Sequence, residues 1–334
     1  MPPPLDLRSG THVVFDAATE HSLTELGATN VVCASANLVM GPSRRDALEH
    51  LRAREAWYGC RDTWDHLYAT AVRWEAPIVS WVSPSVADRL NLWRSCTWFR
   101  DRGIPRRDVL ILELGPAPLG PHAALHARRS DEIQSVSDHP DAALLAHLPR
   151  ARPWPRDRYD HAVKLWEQFV DADPRRFARS CLRGVRGFPE LHRTWGLLSR
   201  FFPRMSRERG LRVSRFDELL LSALSAEWRT PLDVFLHDRS EEWQELRHCA
   251  GDVGMADRLR DWAKHDASAV EGAPGPRPDR PMLSHVYRLT ERGMQLRTGL
   301  PHLAGAPRLP MAGTEAYAPE TPWVLLDDGR LVRM

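Results

Sequence analysis

Four short runs within residues 11–115 are apolar almost from end to end: HVVF at His12–Phe15, NVVCA at Asn30–Ala34, PIVSWV at Pro77–Val82 and DVLILEL at Asp108–Leu114. A strand with one wet face alternates apolar and polar residues. A strand that is apolar throughout is buried on both faces, which requires a parallel sheet layered between helices. The intervening stretches Thr19–Gly27, Arg44–Trp57, Asp62–Trp74 and Ser85–Asp101 have helical periodicity. Thr19 or Ser22 is the expected cap of the first, with Gly27 as its stop. The order β-α-β-α-α-β-α-β follows.

A chain of 334 residues is too long for one ordinary core and suits about two domains of roughly 100–200 residues each. Residues 1–120 are expected to form the α/β domain with its parallel sheet. Residues 121–156, rich in Pro, Ala and His, read as a connecting segment. Residues 157–334 read as a mostly α domain with a winged-helix-like element. Asp157, Pro174 and Pro189 mark successive helix starts. Ser214 followed three residues later by Asp217 has capping-box spacing, and the next helix sets Phe216, Leu219, Leu220, Ala223 and Leu224 on one face. Thr230-Pro231 opens another helix. Gly251–Lys264 carries Met255, Leu259 and Trp262 on one face. Gly272–Pro281 reads as a loop, Ser284–Leu289 as a β-segment, and Thr290 as the cap of a last helix. Helices followed by a β-element is the order of a winged helix. Near the end, Trp323–Val332 reads as a hairpin turned at Asp328-Gly329.

Charge narrows the function classes. The net charge of +2 gives no global attraction to nucleic acid or anionic lipid. Residues 206–300 carry 15 basic and 16 acidic groups, a balance that argues against DNA binding, because such affinity comes largely from phosphate neutralisation. Residues 151–205 carry 12 basic and six acidic groups among Trp154, Tyr159, Trp166, Phe177 and Trp195. This is the one stretch with an electrostatic preference for an anionic partner such as nucleic acid. Cys33, Cys60, Cys96, Cys181 and Cys249 are widely spaced and form no CxxC, as expected of reduced cytoplasmic thiols. The start MPPPLD has no signal-peptide character, and no apolar run approaches the roughly 18 residues of a membrane span.

Ligands of open parallel sheets sit beyond the carboxyl ends of the strands. Asp16, with Ser22 in the following helix, stands at the first such end and can bind a ribose, a metal or another polar group, or merely cap the helix. After the second strand come Asn37, a donor and acceptor in one side chain, and Gly41, which lets backbone approach a ligand or forms a plain tight turn. After the third come Trp81, Ser83 and Asp88. Asp88 falls in a first helical turn, which favours carboxylates through the helix dipole alone, and Trp81 is expected in the core. GxGxxG, GxxxxGK[ST], GxSxG and HExxH are all absent, so no nucleotide-binding or metal motif specifies a cofactor. His122 and His126 have i, i+4 spacing without an evident third metal ligand.

The chain resembles a bacterial pair of families, domain of unknown function 1835 (DUF1835) in its N-terminal part and domain of unknown function 3658 (DUF3658) in its C-terminal part. The first likeness rests on His12-Val-Val-Phe-Asp16 with Ser22-Leu23, Leu38 with Gly41-Pro42, Arg52 before Trp57, and Val79-Ser-Trp81 with Ala87-Asp88 and Leu90. The second rests on Gly210-Leu211 and Ser214, Gly251-Asp252, Arg288-Leu289-Thr290 with Gly293, and Trp323. The resemblance implies the two-part architecture and candidate positions, and no reaction. Such proteins usually carry Gly-Asp where Phe15-Asp16 stands and an Asp where Asn37 stands.

Three functions are compatible with this reading. The first is a two-module protein that holds a small polar ligand or a protein partner at Asp16, Ser22, Asn37, Gly41 and Asp88, with a C-terminal interaction module. The second is an enzyme acting on a small polar or phosphorylated substrate with Asp16 as its essential carboxylate. The third is a nucleic-acid-linked regulator using residues 151–205.

Overall fold

The computed structural model describes residues 5–59, 67, 72–115, 135–208, 210–237, 240–264, 269–297, 306–318 and 321–334. The helix expected at Asp62–Trp74 and the pair His122/His126 lie largely or wholly outside the described residues. The chain divides into two compact units. The first takes the described residues of Met1–Leu38, Ser43–Val170 and Val185–Pro189, and the second those of Val39–Pro42, Asp171–Gly184 and Glu190–Met334.

The first unit is built on the expected parallel sheet. Strands β1 (Thr11–Val14), β2 (Val31–Cys33), β4 (Ile78–Val82) and β5 (Val109–Glu113) lie in the order β2-β1-β4-β5, and every pairing is parallel. Alternation of side chains across the sheet explains why these runs contain so few polar residues. Val14, Val79, Trp81 and Leu112 pack on one face with Leu23, Leu144 and Leu148, while Val13, Ile78, Ser80 and Ile111 are buried on the other. Gly10 lets β1 start against its neighbour. Its φ is +78°, and a Cβ there would lie 2.0 Å from the Pro77 carbonyl oxygen.

Three helices frame the strand ends: α1 (Ala17–Glu25), α2 (Ala47–Tyr58) and α3 (Val86–Asp101). β1 connects through α1 to β2 on one side, and β4 connects through α3 to β5 on the other. Right-handed crossovers then put α1 and α3 on opposite faces of the sheet. Asp16 caps α1, accepting from the Thr19 amide at 2.7 Å, and Ser22 lies inside the helix. Asp16 wins this place because only a residue in extended backbone, just ahead of the first turn, can reach the orphan amides.

The boundary expected at residue 157 is displaced. Residues 135–170 belong to the first unit, because the helix Arg156–Phe169 is fastened to the sheet and to α3. Arg158 donates to Glu113 of β5 through two nitrogens, each at 2.8 Å, and the Tyr159 hydroxyl donates to the Cys96 carbonyl at 2.8 Å. Part of the expected connecting segment is also ordered structure, with a helix at Asp141–His147 whose Leu144 is buried in the core.

The second unit is mostly helical, with helices Arg175–Arg183, Leu191–Leu198, Arg215–Ser222, Pro231–His237, Glu241–Ala250, Asp252–Lys264 and Glu291–Arg297. The last of these is capped as expected, Thr290 Oγ1 accepting from the Gly293 amide. Strands β8 (Val270–Pro274) and β9 (His285–Leu289) form an antiparallel pair after the helices. Arg229 and Tyr287 exchange backbone hydrogen bonds at 2.9 and 2.8 Å, adding a single-residue third strand. Helices completed by this hairpin give the winged-helix-like element. The loop expected from Gly272 therefore starts later; Gly272 is in β8, its bare Cα fitted against the Tyr287 ring. Phe216, Leu220, Leu224, Leu259, Trp262 and Leu289 are buried as their spacing requires, but Leu219 is only half-buried and Leu221 takes its place.

Two further small sheets complete this unit. β3 (Gly41–Pro42) pairs with β10 (Leu309–Ala312), which also pairs with β11 (Thr314–Tyr317). β6 (Arg204–Ser206) pairs with β7 (Gly210–Arg212) and with β12 (Trp323–Leu326). β12 turns through Gly329, φ +80°, into β13 (Leu331–Arg333), the expected hairpin. Among the described residues no helix is long and apolar enough to cross a membrane.

Candidate site at the strand ends of the first unit

In the order β2-β1-β4-β5 the connections leave β1 and β4 in opposite directions. The carboxyl ends of these two neighbours therefore form the switch point at which open α/β sheets leave a crevice. Asp16 follows β1, and Ser83, Ser85 and Asp88 follow β4.

The β4 side is an interlocked turn. Ser85 caps α3, its hydroxyl oxygen accepting from the Asp88 amide at 3.2 Å. Asp88 Oδ2 accepts from the Ser83 amide at 2.8 Å, and the Ser83 hydroxyl donates to Ser85 Oγ at 3.1 Å. Asp88 is only 4% exposed. Burial disfavours its charged form and is the largest influence on it; the nearby charge of Asp16 acts in the same direction. Together they outweigh the Ser83 and Ser85 hydrogen bonds and raise its pKa to about 6. No cation figures among the main influences on Asp88. The two carboxyls thus share one electrostatic environment, in which Asp88 is harder to ionise than an exposed aspartate.

Asp16 is half-buried and accepts from Thr19 with both oxygens, from the amide at 2.7 Å and from the hydroxyl at 2.6 Å. Its capping role is therefore explicit. Ser22, half-buried in α1, sits six residues further on. Asn37 is half-buried and its backbone carbonyl accepts from Arg54 at 3.0 Å. The segment before it lies along α3, where Asn91 donates to the Ala36 carbonyl at 3.1 Å and Arg94 to that of Ala34 at 2.6 Å. The buried Asn91 Oδ1 has no hydrogen-bond partner among the described residues. Gly41 goes elsewhere. With φ +87° it enters β3 of the second unit, in register with Met311. Of the expected residues, the fold thus brings Asp16 and Asp88 together, sets the segment of Asn37 along the same helix, and commits the Gly41 backbone to a sheet.

Trp81 is core, as expected. Its indole N–H donates to His12 Nδ1 at 3.1 Å, and His12 Nε2 reaches the Leu7 carbonyl at 3.0 Å. Burial keeps this histidine's pKa below the ordinary value, so it is a neutral structural group.

Sequence reasoning missed Glu113 at the end of β5. It collects Arg89 at 2.6 Å, Arg158 and the Trp154 indole at 3.3 Å. Burial opposes its ionisation, but the two guanidiniums prevail and hold its pKa below the usual range. The strand-end rule alone would have flagged Glu113; its partners come from residues 24 to 45 positions away.

The basic stretch 151–205 is largely consumed by ion pairs. Besides Arg158, Arg175 and Arg176 pair with Asp173 and Asp171, Arg193 with Glu245, and Arg204 with Glu218. In the helix Asp252–Lys264, Arg258 is 1% exposed and turned inward onto Asp217. Among the described residues no three His, Cys, Asp or Glu side chains converge as metal ligands. No protein-family model matches the chain, and no curated protein is significantly similar to it.

Proposed function

We propose that the first unit binds a small polar ligand at the switch point between β1 and β4, with Asp88 and Asp16 as its polar contacts. The observation that supports this reading is the position of a buried carboxylate, raised to about 6, at the place where this sheet topology leaves a crevice. A structural acid is normally held by a cation or by several donors. Asp88 has only the Ser83 amide and the neutral Ser83 and Ser85 hydroxyls around it, no cation among its main influences, and an acidic neighbour, an arrangement that suits a ligand bearing hydroxyl or ammonium groups. The second unit, with its winged-helix-like element, serves as the interaction module. Membership of DUF1835 and DUF3658 belongs to the same proposal, with Asn37 where a second acid is usual.

Thermal unfolding of the full chain with polyols, amino acids, polyamines and nucleosides tests the reading, since a ligand that binds only the native state raises apparent stability. A ligand whose stabilising effect disappears in Asp88→Asn and changes between pH 5 and pH 8 supports it. Stabilisation identical in wild type and variant at both pH values refutes it.

The enzyme reading is favoured by one observation. Two nearby carboxyls of which one is raised in pKa to about 6 are the arrangement of an acid/base pair. Asp88 is then the proton-exchanging group and Asp16 its neighbouring carboxyl, a different assignment from one in which Asp16 acts alone.

A further inference from the structure

A second recess in the first unit lies further along α3. It has a volume of about 320 Å³ and is lined by Arg45, Arg94 and Arg102, with Asp46, Asp101 and Trp166 among its other walls. Thr97, also on its wall, is nine residues beyond Asp88, a rise of about 14 Å along the helix, so this recess is separate from the strand-end pair.

Its charges are unevenly engaged. Both acids are occupied locally: Asp46 accepts from the Leu48 and Glu49 amides at 3.0 and 2.9 Å, and Asp101 takes Arg100 at 2.9 Å. Arg102 is exposed, stacks its guanidinium 4.9 Å from the centre of the Trp98 ring, and among the described residues forms no side-chain hydrogen bond or ion pair. Arg45 meets Glu167 at 3.2 Å with both side chains substantially exposed, a contact of the kind worth little and readily redirected. Arg94 is fully buried and engaged, donating to the Ala34 carbonyl at 2.6 Å, so it contributes its charge to the wall rather than a free fork. The buried His50, whose ring lies 6.3 Å from that of Trp166, senses the same field. After burial itself, Arg94 and Arg54 are what hold its pKa well below the ordinary value.

We propose that this recess binds the phosphate group of a small phosphorylated metabolite, with Arg45 and Arg102 as its ligands and the buried charge of Arg94 behind them. Guanidinium forks match phosphate oxygens in geometry and charge. The volume falls at the lower end of small-molecule sites, roughly 300–1,000 Å³, and exceeds what a bare phosphate ion fills, which leaves room for an organic body.

Calorimetric titration of the full chain with glucose 6-phosphate, glycerol 3-phosphate and inorganic phosphate, against glucose and glycerol at constant ionic strength, tests this. At least one ester is expected to bind about tenfold or more tighter than its parent alcohol. The double variant Arg45→Glu, Arg102→Glu changes only exposed side chains, so its fold should persist, checked by circular dichroism and Tm. It is expected to lose about tenfold or more of that affinity. Inorganic phosphate binding as tightly as the esters keeps the oxyanion site and assigns it the free ion. Absence of binding by all three phosphates, or affinity unchanged in the folded double variant, overturns the proposal.

Discussion

Asp88 in the first unit and Asp217 in the second have the same local setting and opposite fates. Each stands three residues after a serine that caps its helix, Ser85 and Ser214. Each is at most 4% exposed. Burial pushes both carboxyls upward in pKa, and it is the largest single influence on each. Asp88 follows that push to about 6. Asp217 ends below the usual carboxylate range, because Arg258 grips it with two nitrogens at 2.7 and 2.8 Å while the Trp262 indole and the Ser214 hydroxyl donate at 2.8 and 2.9 Å. Arg258 also donates to the carbonyls of Pro307 and Arg308 at 3.0 and 2.8 Å, tying that segment to the helical core. One aspartate is a saturated structural joint. The other keeps acceptor capacity and a titratable proton. Burial alone therefore does not distinguish a fastening from a site; the partner set does.

The largest expected effect tests the joint. Asp217→Asn leaves the buried Arg258 charge uncompensated and should cost about 3–5 kcal/mol in urea unfolding. A loss below about 1 kcal/mol would mean that Asp217 is no more a joint than an exposed acid. The sign of its pH dependence follows from its depressed pKa: Asp217 contributes stability above its unfolded pKa, near 3.9, and that contribution is lost as pH falls through the lower folded value.

Asp88 should behave in the opposite sense. Its folded pKa of about 6 exceeds its unfolded value, so the folded state binds the extra proton and stability falls as pH rises from about 4 to 6. Asp88→Asn keeps an acceptor for the Ser83 amide and removes this penalty. The variant should gain on wild type between pH 4 and 7, by an amount on the order of 3 kcal/mol at most. Asp261 in the second unit is also raised to about 6, so the informative quantity is the difference between variant and wild type at each pH. A difference that is flat across that range contradicts the contrast.

The caps should be alike where the carboxylates differ. Ser85→Ala and Ser214→Ala should each cost about 1 kcal/mol, measured by chemical denaturation; a much larger loss at Ser214 would show that its hydroxyl matters mainly to the Asp217 cluster. The smallest effect isolates the neighbour: Asp16→Asn preserves the cap of α1 and removes the like charge, so the Asp88 pKa, followed by carboxyl NMR, should fall from about 6 but stay above the ordinary value, because burial is the larger influence.

Much of the fold was legible because its signals are local. The four buried strands follow from their apolar runs, and the caps at Ser214, Thr230 and Thr290 from residue type and spacing. Gly41 was legible as a position needing backbone freedom, but its partner Met311 lies 270 residues away and no local pattern announces it. The helix Arg156–Phe169 was legible as a helix, yet its amphipathic stripe does not say which core receives it; Glu113 and Cys96 decide that. At the candidate site, Asp16 and Asp88 were legible from the strand-end rule, whereas Glu113 was passed over.

The sequence by itself determined that serine-x-x-aspartate starts a helix at residues 85 and 214, because a hydroxyl oxygen and an orphan amide three residues on meet in any chain that turns there. It could not determine the ionisation of either aspartate. That depends on whether a guanidinium arrives from a distant segment: Arg258 comes from 41 residues away to Asp217, whereas what packing brings beside Asp88 is Asp16. Coulomb energy in a buried site depends on distance and dielectric, and both are set only when the chain has folded.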